Sequence, residues 1–272
     1  MSNNQFTLIK SKLGWKRDLP DFRDFSLDVD TVFTPTTLLP NNKVLSEKNF
    51  SPIEDQLDLG SCTANAAAGI VEYMEKKAFN KYTDISRLFL YKVTRKLMGE
   101  VGDTGAYLRD TMKALRLFGA LSEEYWNYDV ETFDREPTAF EYAIASNYKS
   151  LSYYKVDPYG KSSDAVLLEI KKLINKGIPM MFGFTCFSSL YNAKSGIIPF
   201  PEPSERVIGG HAVTLVGYDD TSKTFKIRNS WGPNWGVNGY GHLPYKYLST
   251  GLMTDIWAIL KQDWIDSEAF KA

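Results

Sequence analysis

Apolar positions change their spacing about halfway along this 272-residue chain, and the change divides it into two textures. From Cys62 onward Ala67, Ile70, Val71, Met74 and Ala78 recur at helical spacing, which predicts a helix with one buried stripe that begins near the cysteine. Ser61 stands where an N-cap belongs. A second helix is expected after Ser86, with Phe89, Leu90, Val93 and Leu97 inward. A third carries Leu108, Met112 and Leu115 before Gly119 stops it. Residues 163 to 176 give one more, with Val166, Leu167, Ile170, Leu173 and Ile174 on a face and Gly177 as terminator. Segments 178 to 187, 211 to 218, 224 to 230 and 239 to 243 are instead short, β-branched or aromatic, and bounded by Gly, Pro, Asp and Ser. Helices first and strands later predict an α+β protein of two unlike lobes with a cleft between them. Residues 1 to about 50 follow neither period and read as an extended arm wrapped on the rest.

Composition narrows the function without choosing it. Lys plus Arg (32) and Asp plus Glu (33) nearly cancel, so no overall field favours a nucleic acid or an anionic membrane as partner. Two cysteines, Cys62 and Cys186, cannot build a multi-bridge scaffold and point weakly to a reducing compartment. The first residues lack a secretory signal, so the expectation is a cytoplasmic protein or one exported by a signal-independent route. Nothing calls for a metal or another cofactor, and a monomer is assumed.

The chemistry sits in three short segments. Cys62 lies at a helix start, where free N–H groups and the helix dipole favour a thiolate. A cysteine nucleophile needs an imidazole to take its proton and return it to a leaving group. Of the two histidines, His211 in Gly209-Gly210-His211-Ala212-Val213 is the stronger candidate, because His242 has no partner motif. Asn229, in Asn229-Ser230-Trp231-Gly232, offers a carbonyl that can fix the ring without ionising, and an indole such as Trp231 can shield that bond from water. Gln56, six residues before the cysteine, can donate to an oxyanion together with the Cys62 amide. Cys186, on an apolar strand, reads as core.

Together these segments resemble the papain family of cysteine peptidases, and more closely its bacterial and viral members that carry Gly-Ser-Cys-Thr-Ala-Asn, here Gly60 to Asn65. The resemblance runs from about residue 50 to the end. It implies a papain-like two-lobe fold, with a helical lobe mainly in 50–150, a β-barrel-like lobe mainly in 151–272, and a peptide groove between them. It further implies that Gly60, Gly105, Gly210 and Trp231 line that groove, with Gly105 pairing its backbone with an extended peptide. Thr63, Leu59 and Gly210 depart from papain itself, Leu59 standing where a disulfide cysteine is expected. The function implied is peptide-bond hydrolysis, expected to be endopeptidic, on a peptide or protein substrate. Two alternatives stay open: acyl transfer on another amide, as in a deconjugase, amidase or transglutaminase, or an inactive peptide-binding relative. Residues 1–33 are then an N-terminal extension ahead of a peptidase domain at 34–272. Gly14 to Asp24 is expected either to lie across the cleft, propeptide-like, or to pack behind a lobe.

Overall fold

The computed structural model describes residues 12–26 and 38–264. Its helical part is built from α1 (Cys62–Phe79), α2 (Arg87–Met98) and α3 (Leu108–Leu117). Ala67, Ile70 and Val71 are buried as the stripe requires, but Ala78 is exposed, because the last turn of α1 runs out beyond its neighbours into solvent. The Ser86 hydroxyl caps α2 by accepting from the Phe89 amide at 3.2 Å. Ser61 occupies the cap position of α1 but does not cap it. Its hydroxyl instead meets the Tyr128 hydroxyl at 2.7 Å and accepts from Asn65 Nδ2 at 3.1 Å. The Cys62 and Thr63 amides at the α1 N-terminus are directed at the Cys62 sulfur. Gly119, at φ 83°, ends α3 against the backbone of Ala145 and Tyr148, where a side chain would collide.

The strand-rich part is one seven-stranded sheet in the order β4-β9-β5-β6-β7-β8, with β2 paired to β6. Its strands are β2 (Asn42–Val44), β4 (Tyr148–Lys155), β5 (Met180–Phe187), β6 (Val207–Asp219), β7 (Thr224–Arg228), β8 (Tyr240–Pro244) and β9 (Met253–Trp264), and every pairing among them is antiparallel. A helix, α4 (Ala139–Ala145), precedes β4, and α5 (Ser163–Asn175) follows it. Val166, Ile170, Leu173 and Ile174 of α5 pack into one apolar core with Phe182, Phe184, Leu215 and Ile227 of the sheet, and Cys186 lies there too. A second core joins α1, α2 and α3 to the other side of the sheet through Met181, Ala212, Trp257 and Ile259. Leu59 is buried in that second core, so an apolar contact fills the disulfide position.

Burying Met181 and Ala212 against the helices while Phe182 and Val213 face the opposite core is ordinary strand alternation. That alternation decides the site. It carries β6 past the start of α1, with Ala212 beside Cys62 in the same core.

The arm at the start of the chain is packed on both parts. β1 (Trp15–Lys16) pairs in parallel with β3 (Ala106–Tyr107), the short strand leading into α3.

Candidate active site

Cys62 opens α1 and is fully buried. The backbone amides of Ala212 and Gly14 point at its sulfur from the sheet and from the arm, yet burial outweighs them and pushes the thiol up to about 11. His211, on β6, is fully buried as well. Loss of water disfavours its charged form and holds the imidazole down at about 4. Burial thus favours the uncharged form of both groups, whereas water at the site would favour the ion pair.

Asn229 settles the tautomer. Its Oδ1 accepts the Ser230 amide at 2.9 Å, which identifies that atom as the oxygen, and it lies 2.7 Å from His211 Nε2. Nε2 must then carry the hydrogen, and Nδ1 is left bare. That Nδ1 is buried with no hydrogen-bond partner. It is the atom available to take a proton from sulfur.

The Trp231 ring stacks on the imidazole at 4.4 Å and 24°, while Trp235 meets Trp231 edge-on at 5.4 Å. Phe184 meets the imidazole edge-on at 5.8 Å. The Asn229–His211 bond is thus walled by aromatic rings, which lowers the local dielectric and strengthens it. Trp231 reaches the chemistry through the histidine, as a roof over that bond.

Gln56 is held by the same segment that carries Asn229. Its amide N–H donates to the Ser230 carbonyl at 2.9 Å, and its side-chain Oε1 accepts from the Ser230 hydroxyl at 2.7 Å. Those contacts force Nε2 toward the cleft, where it donates to the carbonyls of Leu59 at 2.8 Å and Lys12 at 3.0 Å. Sequence reasoning did not single out Ser230. Its only signal is its place between Asn229 and Trp231.

Residues 12–16 cross the site. Gly14 is wedged between Gly60 and Gly105: a Cβ on Gly14 would overlap the Gly60 backbone, one on Gly105 would overlap the Gly14 carbonyl, and one on Gly60 would press on Asp103 Oδ1 at 3.0 Å. The Ala106 amide donates to the Gly14 carbonyl at 2.8 Å. The Gly105 amide does not serve this pairing: it donates to the Tyr91 hydroxyl at 2.9 Å. Trp15 is buried over Gly183 and Gly210, both of which a side chain would drive into the indole, and Leu13 rests on Gly209. The structure therefore brings together Cys62, His211, Asn229, Gln56, Gly60, Gly105, Gly210 and Trp231, with the arm among them. His242 lies away on β8, its Nδ1 3.4 Å from the Thr224 hydroxyl. Among the described residues no group of three His, Cys, Asp or Glu side chains is placed to hold a metal ion.

A two-lobed α+β frame, a cysteine on a helix N-terminus and a histidine–asparagine pair on the facing sheet define a class of thiol-dependent hydrolases, and comparison with known proteins agrees. The model of the papain family of cysteine proteases matches residues 39–258, and the chain belongs to that family. It is 35% identical to an uncharacterised peptidase C1-like protein of Acanthamoeba polyphaga mimivirus, over 92% of this chain and 87% of that one. Xylellain, a cysteine protease from Xylella fastidiosa, superposes with a TM-score of 0.78 at 35% identity, over 92% of this chain and 96% of that structure. A procathepsin B of Trypanosoma congolense shares the fold at a TM-score of 0.72 and 17% identity, covering 96% of this chain and 90% of that one.

Proposed function

We propose that this protein is a cysteine peptidase, expected to act as an endopeptidase, whose arm at residues 12–16 closes the cleft until it is displaced. The observation that carries the reading is the fixed tautomer of His211: Asn229 accepts the Nε2 hydrogen and Nδ1 is left bare, one residue before Ala212, whose amide points at the Cys62 sulfur. A binding protein without turnover has no use for an aromatic-walled, singly protonated imidazole.

Once the arm leaves and water enters, the desolvation that separates the two groups is relieved. The thiol moves down and the imidazole up, toward a thiolate–imidazolium pair that the α1 dipole favours. The Cys62 sulfur attacks the peptide carbonyl carbon. The carbonyl electron pair moves to oxygen, which Gln56 Nε2 and the Cys62 amide receive. Collapse breaks the C–N bond, and His211 gives its proton to the leaving amine. A water molecule, losing its proton to His211, then cleaves the thioester and restores the thiol.

The arm's placement supports the blocking role. Its Lys12 carbonyl holds the Gln56 donor, and its Gly14 amide faces the sulfur. The test is hydrolysis of unstructured fluorogenic peptides by the full chain, with iodoacetamide labelling mapped by mass spectrometry. Wild type should hydrolyse them and label at Cys62, and Cys62→Ala should do neither while Cys186 stays unlabelled. Hydrolysis that survives in Cys62→Ala would end this reading.

A further inference from the structure

Gln56 is gripped from both parts of the molecule. Ser230, just after β7, accepts its amide N–H and donates to its Oε1. From the helical part comes Tyr128, whose hydroxyl donates to the Gln56 carbonyl at 2.9 Å. That carbonyl belongs to the peptide that leads into Leu57, a leucine in the left-handed region at φ 53°. A leucine holds such a backbone only where its surroundings impose it. Here they act at both ends of the Gln56–Leu57 peptide: the Leu57 amide donates to Asp55 Oδ1 at 2.9 Å, and the Gln56 carbonyl receives Tyr128. The carbonyl also accepts from the Leu59 amide, at a longer 3.3 Å.

The Tyr128 hydroxyl is itself oriented. A phenol has one hydrogen, and Tyr128 gives it to Gln56, so the Ser61 hydroxyl at 2.7 Å must donate to the Tyr128 oxygen. Ser61 Oγ in turn accepts from Asn65 Nδ2 at 3.1 Å. Three hydrogen bonds therefore run one way, from Asn65 on α1 through Ser61 and Tyr128 to the Gln56 loop, and each polarises the next. The Tyr128 ring is held from its face by the Arg87 guanidinium at 4.2 Å, which is tied to Glu54 at 2.6 Å and Glu123 at 3.0 Å. Burial pushes the Tyr128 hydroxyl up to about 12, so near neutral pH it remains a donor. We propose that Tyr128 is a positioning residue for the oxyanion donor: it fixes the plane of the Gln56–Leu57 peptide and, through it, the aim of Gln56 Nε2.

The inference rests on the peptidase reading for its turnover test, and addition of an inhibitor tests it apart from turnover. Tyr128→Phe removes one oxygen and leaves the ring against Arg87. With the full chain and an unstructured fluorogenic peptide, it should lower kcat by about tenfold, the scale of one hydrogen bond, and leave KM nearly unchanged. In Gln56→Ala the same substitution should have almost no further effect, because the group it aims is gone. Equal fold losses in both backgrounds, with hydrolysis still dependent on Cys62, overturn the proposal and leave the peptidase reading standing. The second measurement uses a peptide aldehyde. The Cys62 sulfur bonds to its carbonyl carbon, the carbonyl electron pair moves to oxygen, and the thiol proton follows, giving a hemithioacetal whose oxygen meets Gln56. Its protection of Cys62 from iodoacetamide is compared with that of the matching peptide alcohol, which fills the groove without bonding to sulfur and so corrects for any loosening of the arm. The aldehyde's advantage should shrink severalfold in Tyr128→Phe, and adding Tyr128→Phe to Gln56→Ala should shrink it no further. An advantage that Tyr128→Phe leaves intact refutes the positioning role. Coupling of Tyr128 to Gln56 in aldehyde binding, with no peptide hydrolysed by the wild type, would support that role and refute the peptidase reading.

Discussion

The catalytic candidates divide into groups that react and groups that aim them. Asn229 aims. Replacing it with Ala removes the acceptor for His211 Nε2, lets the ring turn or change tautomer, and should lower kcat by about 10²-fold, toward the low end of a general acid–base contribution. Steady-state kinetics check this, and KM should change little. Gln56→Ala removes one oxyanion donor and should cost about 2.7–4 kcal/mol of transition-state stabilisation, again in kcat. Ser230→Ala leaves every reacting atom in place but frees the Gln56 amide to turn, since the hydroxyl that holds Oε1 is lost. It should give a smaller fall in kcat than Gln56→Ala and the same pH profile. Residue identity made much of this legible. Cys, His, Asn and Gln are placed by local signals: a helix start, a glycine pair just ahead of the histidine on its strand, an Asn-Ser-Trp turn. Ser230 and Tyr128 were not legible, because their partners lie far off in sequence, Ser230 meeting Gln56 and Tyr128 meeting Ser61 and Gln56.

At the level of elements the arm is the least predictable piece, and its anchor explains why. Beyond Trp15 the chain docks through Asp18, whose amide donates to Asp255 Oδ2 at 2.7 Å. The Asp18 carboxylate accepts from Trp257 Nε1 at 3.1 Å and from the Arg109 amide at 3.3 Å. Around it stand Asp255 on β9, Lys155 on β4, Arg109 on α3, Asp24 on the arm, and Asp157, which accepts the Asp255 and Ile256 amides at 2.8 Å. Four carboxylates face two cations, and burial together with Asp255 raises Asp18 to about 7.

Docking therefore takes up a proton that the free arm, with an ordinary aspartate, would release near its usual value. The raised value means that this contribution is fully present below the ordinary range, near 3.8, and is lost as pH climbs toward about 7. The arm should hold more firmly in mild acid than at neutral pH. Hydrogen-exchange protection of the Trp15 and Lys16 amides, corrected for intrinsic rates, should fall between those limits, and the fall should be smaller in Asp18→Asn. Protection that rises over the same interval would contradict the assignment. No local periodicity announces such an anchor. The strands it uses were hidden too. β4 carries Tyr and Lys on both faces with a register shift after Ser150, and β9 holds Asp255 at φ 56° inside the strand. By contrast α2, α3 and α5 have apolar stripes and were readable, and α1 was readable from its apolar run although it is buried on every face from Cys62 to Tyr73. The first part of the expected 1–33 extension and residues 27–37 lie outside the described residues.

For the molecule as a whole, the balance between closed and open cleft rests on a few long-range contacts. Trp15 is the largest of them, 8% exposed and packed into the core that also holds Cys62. Deleting a buried tryptophan side chain costs about 3–5 kcal/mol, which here falls on the closed state more than on the two lobes, whose cores persist without it. Trp15→Ala should accordingly raise the alkylation rate of Cys62 by about two orders of magnitude while the thermal midpoint of the lobes moves little. An unchanged alkylation rate would show that Trp15 does not hold the cleft shut.

The glycine triplet at the cleft has a kinetic consequence. Gly14 passes between Gly60 and Gly105 because it brings no side chain, and its neighbours Leu13 and Trp15 are too wide to take its place. The arm cannot creep lengthwise through that aperture by one residue at a time, as a thread through an eye. It can only lift away as a unit, breaking its pairing with β3 in one event. Unmasking of Cys62 should then follow a single exponential with no partly exposed stage, in the manner of a latch springing open.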